Sequence, residues 1–397
     1  MYICIMYIYI HIYFLLTEVS FLFLDRNAAM DCDINETSSL EGVHNFTGNV
    51  AEQTILKGIH NIFYDYGLPI VCLFGIVGNM LNLAILTRRK LKRSYRTVEQ
   101  AANVCLIGLA LSDLLFCTFA FPTTFRPRDG LYLRKDFIFY YGLYSAAFIN
   151  VFIMASTWMT VTMATERYIA ICHPLNQTLF MTLRRTKLII VIVYIMAFAF
   201  NVPVLWRYKI ESACVNSTRM FQVQPVPLGN DPVKDNIYRL LWAIMGNFIP
   251  LILLIGFNIK ICWKVHQSYR YRQRFQVSDR ERHDSSNTLT ITLITIVVMF
   301  FILVAPSEIV LFFMEQTNRN ASNRDSYNAI EAIMNFMQTI NFSVNFALYC
   351  IISPYFRRTL RYMFCCHWYH NRRQSYKLSM SETPYHMPLK KMSGLLR

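Results

Sequence analysis

Residues 151–175 read VFIMASTWMTVTMATERYIAICHPL, and this stretch decides the fold. It stays mostly apolar as far as Thr165, as expected of a helix in lipid, because about 20 residues at helical rise cross the hydrocarbon core of a bilayer. The polar pair Glu166 and Arg167 follows, and Pro174 comes only later. We therefore predict a membrane-spanning helix that continues beyond the lipid, where the adjacent carboxylate and guanidinium neutralise each other.

Similar apolar runs recur along the chain of 397 residues, which is 54% hydrophobic and only 16% charged. Soluble domains contain about 25% charged residues, so this composition favours a lipid environment. We predict seven spans, at 66–87, 101–121, 138–165, 187–206, 239–263, 289–314 and 331–352. The predicted fold is all-α, a seven-transmembrane-helix bundle in the lipid bilayer.

The distribution of charge predicts the orientation of the bundle. Segments 88–99 and 264–284 each carry six basic residues, whereas 25–61 carries six acids against two bases. Short basic loops stay in the cytoplasm, which places the N-terminus outside and the C-terminus inside. This distribution also argues against nucleic acid as the partner of a chain with a net charge of +15. The 122–136 loop is an exception to this rule, because it is predicted to lie outside and yet has four basic residues against two acids.

The segments outside the spans complete the predicted organisation. We divide the chain into an extracellular N-terminal segment at 1–65, a helical domain at 66–366 and a cytoplasmic tail at 367–397. Met30 offers an alternative start, so residues 1–29 need not belong to the mature protein. Four sequons fall in segments predicted to be outside and are candidate glycosylation sites: Asn35, Asn45, Asn216 and Asn320.

Cysteine usage indicates packing rather than metal binding or catalysis. Most of the 11 cysteines lie within predicted spans, where a thiol behaves as a small hydrophobe. Cys365 and Cys366 follow the last span after a short basic stretch, a setting typical of palmitoylation. Neither the cysteines nor the histidines have the spacing of metal ligands, and no nucleophile or phosphate-loop motif is present. We therefore predict no metal site and no enzyme activity.

Polar residues inside the spans are costly in lipid, so each is a candidate functional residue. The set comprises Asn79 in the first span, Asp113 in the second, Ser156 in the third, and Asn341, Asn345 and Tyr349 in the seventh. The last three are spaced by four and share one helix face. We interpret the carboxylate with its amide and hydroxyl partners as a polar cavity suited to water or a monovalent cation. The alternative is that these groups only join the helices.

Taken in order, these residues resemble the rhodopsin-like G-protein-coupled receptors. Glu166-Arg167-Tyr168 with the following Pro174 resembles the Glu/Asp-Arg-Tyr motif of that family. Further matches, in the same order as in the family, are Asn79, Asp113, Pro250, Pro306 and Asn345-Phe-Ala-Leu-Tyr349. Residues 356–360 resemble the short amphipathic eighth helix. The resemblance covers about 66–366.

The resemblance implies two groups of functional residues. Glu166 would hold Arg167 at rest, and the released Arg167 would engage a heterotrimeric G protein; Tyr168, Pro174 and Tyr349 belong to the same switch. A sodium pocket that steadies the resting state would be lined by Asn79, Asp113, Ser156, Asn341 and Asn345. No cofactor is expected apart from this ion. The basic 264–284 loop is placed to contact the G protein, and arrestin is a further candidate partner.

Several positions depart from the family pattern. Val304 and Tyr194 stand where the family has tryptophans in its sixth and fourth spans, Phe346 replaces a seventh-span proline, and Asn258 replaces a fifth-span tyrosine. Gly142 stands where the third span normally supplies a cysteine, so Cys214 lacks its expected disulfide partner. Cys32 is a candidate partner, although sequence alone does not fix the pairing.

The departures also narrow the ligand. An aminergic receptor needs a carboxylate where Ile149 stands, and an opsin needs a lysine where Thr339 stands. The pattern instead resembles invertebrate neuropeptide receptors of the FMRFamide type, which implies an extracellular peptide ligand and a place in the plasma membrane. An orphan or chemosensory receptor with a non-peptide ligand is the alternative. A channel or transporter is less favoured, because the sequence lacks internal repeats and paired Gly/Pro interruptions.

Peptides ending in Arg-Phe-amide are cationic and aromatic, so a matching site needs a carboxylate among aromatic rings. The candidate ligand-binding residues are Glu308, the nearby Phe312, and Glu331 at the outer rim of the seventh span. Our hypothesis is that Glu308 binds the ligand arginine through a charge-assisted pair. The alternative is an internal pair between Glu308 and Arg126 or Arg128.

Overall fold

The structure is a computed structural model that describes residues 50–87, 97–127, 130–174, 182–215, 218–275, 294–295, 297–304, 306–307, 310, 324–353, 356–361 and 363. Among these residues, five helical segments are long and apolar enough to cross a membrane: Gln53–Leu86, Gln100–Phe125, Phe137–Cys172, Leu183–Trp206 and Pro232–Ser268. They coincide with the first five predicted spans. The described residues between 294 and 310 are helical and lie within the sixth, and Arg324–Ile352 forms the seventh.

The helices extend beyond the apolar runs that identified them. The third span continues to Cys172, and the first begins with the helix Val50–Asn61. The fifth contains the helices Pro232–Ala243 and Ile249–Phe275 and so continues to Phe275. Helix therefore begins within the predicted N-terminal segment 1–65, and part of the 264–284 loop is helix. Hydropathy marks only the stretch in contact with lipid, whereas helical hydrogen bonds continue into water until a residue ends them.

Proline residues shape the spans at four points. Wide π-helical turns at Ile62–Gly67 and Ile244–Phe248 precede Pro69 and Pro250, whose missing N–H groups leave earlier carbonyls without their usual donor. The second and fourth spans end in 3₁₀ turns, Phe121–Phe125 and Val202–Trp206, which contain Pro122 and Pro203. The seventh helix is α-helical throughout Arg324–Ile352, with Phe346 in place of the family's proline.

A small antiparallel sheet covers the end of the bundle at which the third span begins; we call this the hairpin end. Strands β2 (Tyr208–Val215) and β3 (Thr218–Pro225) form a hairpin between the fourth and fifth spans. Strand β1 (Leu131–Tyr132), which lies just before the third span, pairs with β3. The sheet thereby ties the start of the third span to the segment between the fourth and fifth.

The third span lies at the centre of the bundle. It packs against the second, fourth and fifth spans, while the first span packs against the second and seventh. Glycine permits one of these close contacts, because a Cβ atom built at Gly78 would lie 2.9 Å from the Cβ of Phe346 in the seventh span. Small residues at such crossings let two helix backbones approach in lipid. The opposite end of the bundle carries Glu166-Arg167-Tyr168 near the end of the third span, and we call it the motif end. The buried residues toward this end include Leu109, Met159 and Tyr349.

Candidate functional site

A buried carboxylate occupies the middle of the bundle. Asp113 is fully buried, and each of its oxygens accepts a hydrogen bond from another span. Ser156 of the third span donates to Oδ1 at 2.6 Å, and Asn345 of the seventh donates to Oδ2 at 2.6 Å. Both donors are neutral, and no cationic side chain pairs with Asp113 among the described residues. The arrangement therefore places one acidic group and several oxygen atoms where three helices meet.

The asparagines near this carboxylate have different contacts. Asn79 donates to the backbone carbonyl of Phe342 in the seventh span at 2.9 Å and accepts a bond from Asn82 at 3.3 Å. It therefore joins the first and seventh spans. Asn341 is buried in the seventh span. The structure thus brings Asp113, Ser156 and Asn345 into direct contact, whereas Asn79 is bonded to the backbone of the seventh span.

At the motif end, Glu166 and Arg167 are both buried, at 7% and 6% exposed. Glu166 accepts a hydrogen bond from the Thr186 hydroxyl of the fourth span at 3.0 Å. This hydrogen bond joins the carboxylate of Glu166 to the fourth span. The interaction by which Glu166 would hold Arg167 at rest, which the resemblance implies, stays a prediction.

The remaining switch candidates surround this pair. Tyr168 stacks on Phe257 of the fifth span, and its hydroxyl lies 3.1 Å from the Nε2 atom of His173. Tyr349 is buried against Phe356, the first residue of the helical segment 356–361. Pro174 is exposed just after the third span.

A cavity of about 560 Å³ opens among the first, second, third, fifth and seventh spans at the hairpin end. Its volume lies within the range of roughly 300–1,000 Å³ that ligand sites occupy. Ile149 and Thr339 line it, so the two positions that separate amine receptors and opsins from this chain face the same space. Glu331, a predicted ligand residue, also lines the cavity.

Three arginines reach the wall of this cavity: Arg126, Arg207 and Arg239. The last two share one buried carboxylate, because Asp235 lies 3.0 Å from Nε of Arg207 and accepts a bond from Nε of Arg239 at 2.8 Å. The sequence did not indicate this cluster, since its members lie at the end of the fourth span and in the fifth. The sequence signal for part of this cluster is the spacing of Asp235 and Arg239, because a carboxylate and a guanidinium four residues apart lie next to each other on a helix.

Just before the fifth span, outside the membrane-spanning part, Asp231 accepts a hydrogen bond from the backbone N–H of Val233 at 3.0 Å. That bond stabilises the ionised carboxylate and holds the pKa of Asp231 below its ordinary value. Asp231 also caps the helix Pro232–Ala243, which carries Arg239 into the cavity wall.

Several predicted site residues lie outside the described residues: Glu308, Phe312, Cys32, Cys365, Cys366, Asn35, Asn45, Asn216 and Asn320. The backbone of Cys214 lies in β2. The assignments of ligand binding, palmitoylation, glycosylation and disulfide pairing at these positions stay predictions.

Comparison with known proteins agrees with this architecture. The model of the seven-transmembrane receptors of the rhodopsin family matches residues 78–349, which include the buried carboxylate, the Glu166-Arg167-Tyr168 motif and most of the cavity wall. The chain belongs to the rhodopsin family of seven-transmembrane receptors. The family assignment confirms the predicted fold class, a seven-helix bundle in a multi-pass membrane protein.

Similar proteins occur in invertebrates and vertebrates. The FMRFamide receptor of Drosophila melanogaster is 26% identical over 347 residues, covering 85% of this chain and 59% of that protein. A probable G-protein coupled receptor of Caenorhabditis elegans is 26% identical over 78% of this chain and 70% of its own length. The human cholecystokinin receptor type A is 25% identical over 55% of this chain and 49% of its own length. The chain thus spans about three fifths of the Drosophila receptor.

This rhodopsin-family chain compensates for its missing sixth-span tryptophan with an aromatic ring on the third span. Val304, at 1% exposed, packs with Phe300 and Leu254. Trp158 of the third span packs against that cluster and donates from its indole N–H to the carbonyl of Met245 at 3.1 Å. A bulky indole therefore remains beside this cluster, although a different helix carries it.

Two other departures in this rhodopsin-family chain have identifiable contacts. The Tyr194 hydroxyl donates to the carbonyl of Gly108 at 2.9 Å and lies 2.7 Å from Ser112, so it joins the fourth span to the second. Asn258 donates to the carbonyl of Leu254 in its own helix at 2.6 Å.

Gly142 makes room for the side chain of Arg126. Nη2 of Arg126 donates to the carbonyl of Gly142 at 3.0 Å and to the Ser145 hydroxyl at 2.7 Å. A Cβ atom at position 142 would lie 3.4 Å from Nε of Arg126 and 3.2 Å from the Tyr132 hydroxyl. The segment after the second span is thus fastened to the third by hydrogen bonds at the position where the family usually has cysteine. This contact gives one of the basic residues in the 122–136 loop, Arg126, a structural role.

Proposed function

We propose that this protein is a receptor that binds an extracellular neuropeptide of the FMRFamide type and activates a heterotrimeric G protein. The observation that carries the proposal is the placement of two sites in one bundle. A ligand-sized cavity lies at the hairpin end, and the Glu166-Arg167-Tyr168 motif lies at the other end of the same third span. A ligand that prefers one packing of the helices can therefore bias the distant end toward the same packing.

The proposed setting is the plasma membrane with the N-terminus outside. Basic residues concentrate in the segments that join spans at the motif end, which favours a cytoplasmic position for that end. The cavity then faces the extracellular side. The tail at 367–397 and the motif end are the parts of the chain at which arrestin would bind.

A peptide is the ligand class that the cavity and the comparisons support best. The cavity takes a few residues of a peptide rather than a whole folded partner. Its described wall contains charged groups of both signs and aromatic rings such as Tyr64 and Trp242. The Drosophila relative is named for FMRFamide and the human relative for cholecystokinin, both of which are peptides.

The test is expression of the full chain in cultured cells, with a screen of amidated invertebrate peptides and a direct readout of G-protein dissociation. We expect a saturable response, and we expect Arg167→Ala to abolish it because that variant removes the cation of the motif. Arg184→Ala is the matched control, since Arg184 is exposed at the start of the fourth span. A ligand-evoked current without G-protein activation would instead support a channel, and a response only to non-peptide compounds would support the chemosensory alternative.

We also propose sodium as a modulator at Asp113, Ser156 and Asn345. The fully buried carboxylate has only neutral donors among the described residues, and oxygen atoms surround it. Hard monovalent and divalent cations prefer oxygen ligands. A cation here would stabilise the packing that keeps three helices together.

A further inference from the structure

The side chain of Arg126 lies in the wall of the cavity at the hairpin end, next to the third span. Its Nη2 atom donates to two neutral acceptors, the Gly142 carbonyl and the Ser145 hydroxyl. Its Nε atom is buried and has no hydrogen-bond partner. Among the described residues, no carboxylate forms an ion pair with this guanidinium. The wall therefore presents a positive charge that neutral groups hold in place.

A partly buried cation held only by neutral groups is unfavourable in the absence of a counter-charge, because desolvation is not repaid by an ion pair. A guanidinium in this situation binds a carboxylate strongly, since it offers a planar fork of donors that matches the two oxygens. The neutral contacts to Gly142 and Ser145 hold the fork in one orientation before any ligand arrives. Such preorganisation lowers the entropic cost of binding.

We propose that Arg126 is a specificity residue that binds a carboxylate of the peptide ligand. The inference rests on the proposed receptor function and deepens it. Glu331 of the seventh span lines the same cavity, so the described wall contains groups of both signs. The matching ligand carries a basic group and, close to it, a carboxylate. An acidic side chain and a free C-terminus are the two sources of that carboxylate.

The test uses the full receptor and matched peptides. The probes are Phe-Met-Arg-Phe-amide extended by one residue at its N-terminus, with Asp placed in turn at each of the three positions before the arginine. Each Asp peptide is paired with its Asn counterpart, and one further probe replaces the C-terminal amide with a free carboxylate. The readout is the ratio of potencies within each pair, which does not depend on the level of receptor at the cell surface.

In the wild type we expect at least one carboxylate-bearing probe to be about 10- to 100-fold more potent than its neutral partner, the range for a hydrogen bond to a charged group. Arg126→Gln is expected to bring that ratio close to one. Arg134→Gln removes an exposed arginine from the same loop and is expected to leave the ratio unchanged. If the Asp pairs carry the effect, the carboxylate is a side chain; if the free-acid probe carries it, the carboxylate is the C-terminus.

Arg126→Gln also removes the contacts with Gly142 and Ser145, so a second variant is needed. Arg126→Lys keeps the charge but loses the fork, and we expect it to reduce the ratio several-fold while the receptor still reaches the surface. An equal ratio in wild type and Arg126→Lys, or no preference for any carboxylate in the wild type, overturns the inference. If neutral peptides activate and carboxylates add nothing, the receptor function stands and this inference fails. If no peptide of either kind activates a receptor that is present at the surface, both fail.

Discussion

At the scale of single residues, Asp113 is the group whose chemistry most directly predicts a measurable response. Its two oxygens each accept one hydrogen bond of 2.6 Å, from Ser156 and from Asn345. Removing its charge leaves both neighbours in place, because an asparagine has the same shape and can still accept one of these bonds. Loss of charge can therefore be separated from loss of packing at this position.

We predict that Asp113→Asn abolishes the dependence of agonist affinity on sodium. In the wild type, replacing sodium with N-methylglucamine should raise agonist affinity, because the ion stabilises the resting packing. The variant should show the same affinity in both media, as measured by competition binding on membranes. Ser112→Ala is the control, since Ser112 is equally buried but bonds to Tyr194 and Gly108. A sodium effect that survives in Asp113→Asn contradicts the proposed cation site.

Position 142 supplies a second prediction at this scale. Gly142→Ala should lower the stability of the receptor relative to Gly58→Ala by about 1 kcal/mol, because the new methyl group requires the Tyr132 hydroxyl or the Arg126 side chain to shift by a few tenths of an ångström. The measurement is the melting temperature of the purified receptor in detergent. Gly58→Ala serves as the control, since a Cβ atom there meets nothing within 4 Å and alanine is the better helix former. Equal melting temperatures for the two variants would show that Arg126 and Tyr132 shift without a loss of stability.

At the scale of helices, the contact between Thr186 and Glu166 joins the third and fourth spans at the motif end. Hydrogen bonds to charged groups contribute about 1.5–3 kcal/mol. A bond of this size in only one of two packings is enough to shift the balance between them severalfold.

We therefore predict that Thr186→Val raises basal G-protein signalling several-fold, because the resting packing loses this interhelical bond. Basal activity is measured without ligand and normalised to receptor at the cell surface. Thr162→Val is the control: Thr162 bonds to the carbonyl of Trp158 in its own helix and so joins no two spans. Basal activity equal to that of Thr162→Val would mean that the bond is present in both packings.

The helices of this receptor were easier to predict from the sequence than their ends or their side-chain partners. Apolar runs located the first five spans, since the side chains that face lipid must be apolar along the whole length of a span. The hairpin of β2 and β3 was not predicted, although polar and apolar residues partly alternate on both sides of the sequon at Asn216. The Thr186–Glu166 and Arg126–Gly142 contacts join residues from different helices, and no local pattern encodes which side chains meet there.

The polar groups at the centre were predictable for a different reason. A carboxylate in a lipid span is unfavourable unless other polar groups surround it, so Asp113 implied partners on neighbouring helices. The sequence named Ser156 and Asn345 among them, and the structure places both in contact with it. The tryptophan that packs against the cluster containing Val304 could not be named in advance, because Trp158 lies in the third span and Val304 in the sixth.

At the scale of the whole molecule, the bundle has three polar layers in lipid. The cavity lies at the hairpin end, the Asp113 layer at the middle and the Glu166-Arg167 pair at the motif end, and the third span contributes to all three. A change of packing around this one helix therefore reaches every layer. This geometry would couple a ligand at one end to a G protein at the other, as the proposed function requires.

The hydrogen bonds of Arg126 also bear on how the receptor is made. A disulfide forms only in an oxidising compartment and depends on the pairing of the correct thiols. The contact between Arg126 and the third span has no such requirement, because it forms as soon as the two helices pack together. This corner of the bundle can therefore assemble without an oxidant, and its hydrogen bonds do not depend on the redox state of a thiol.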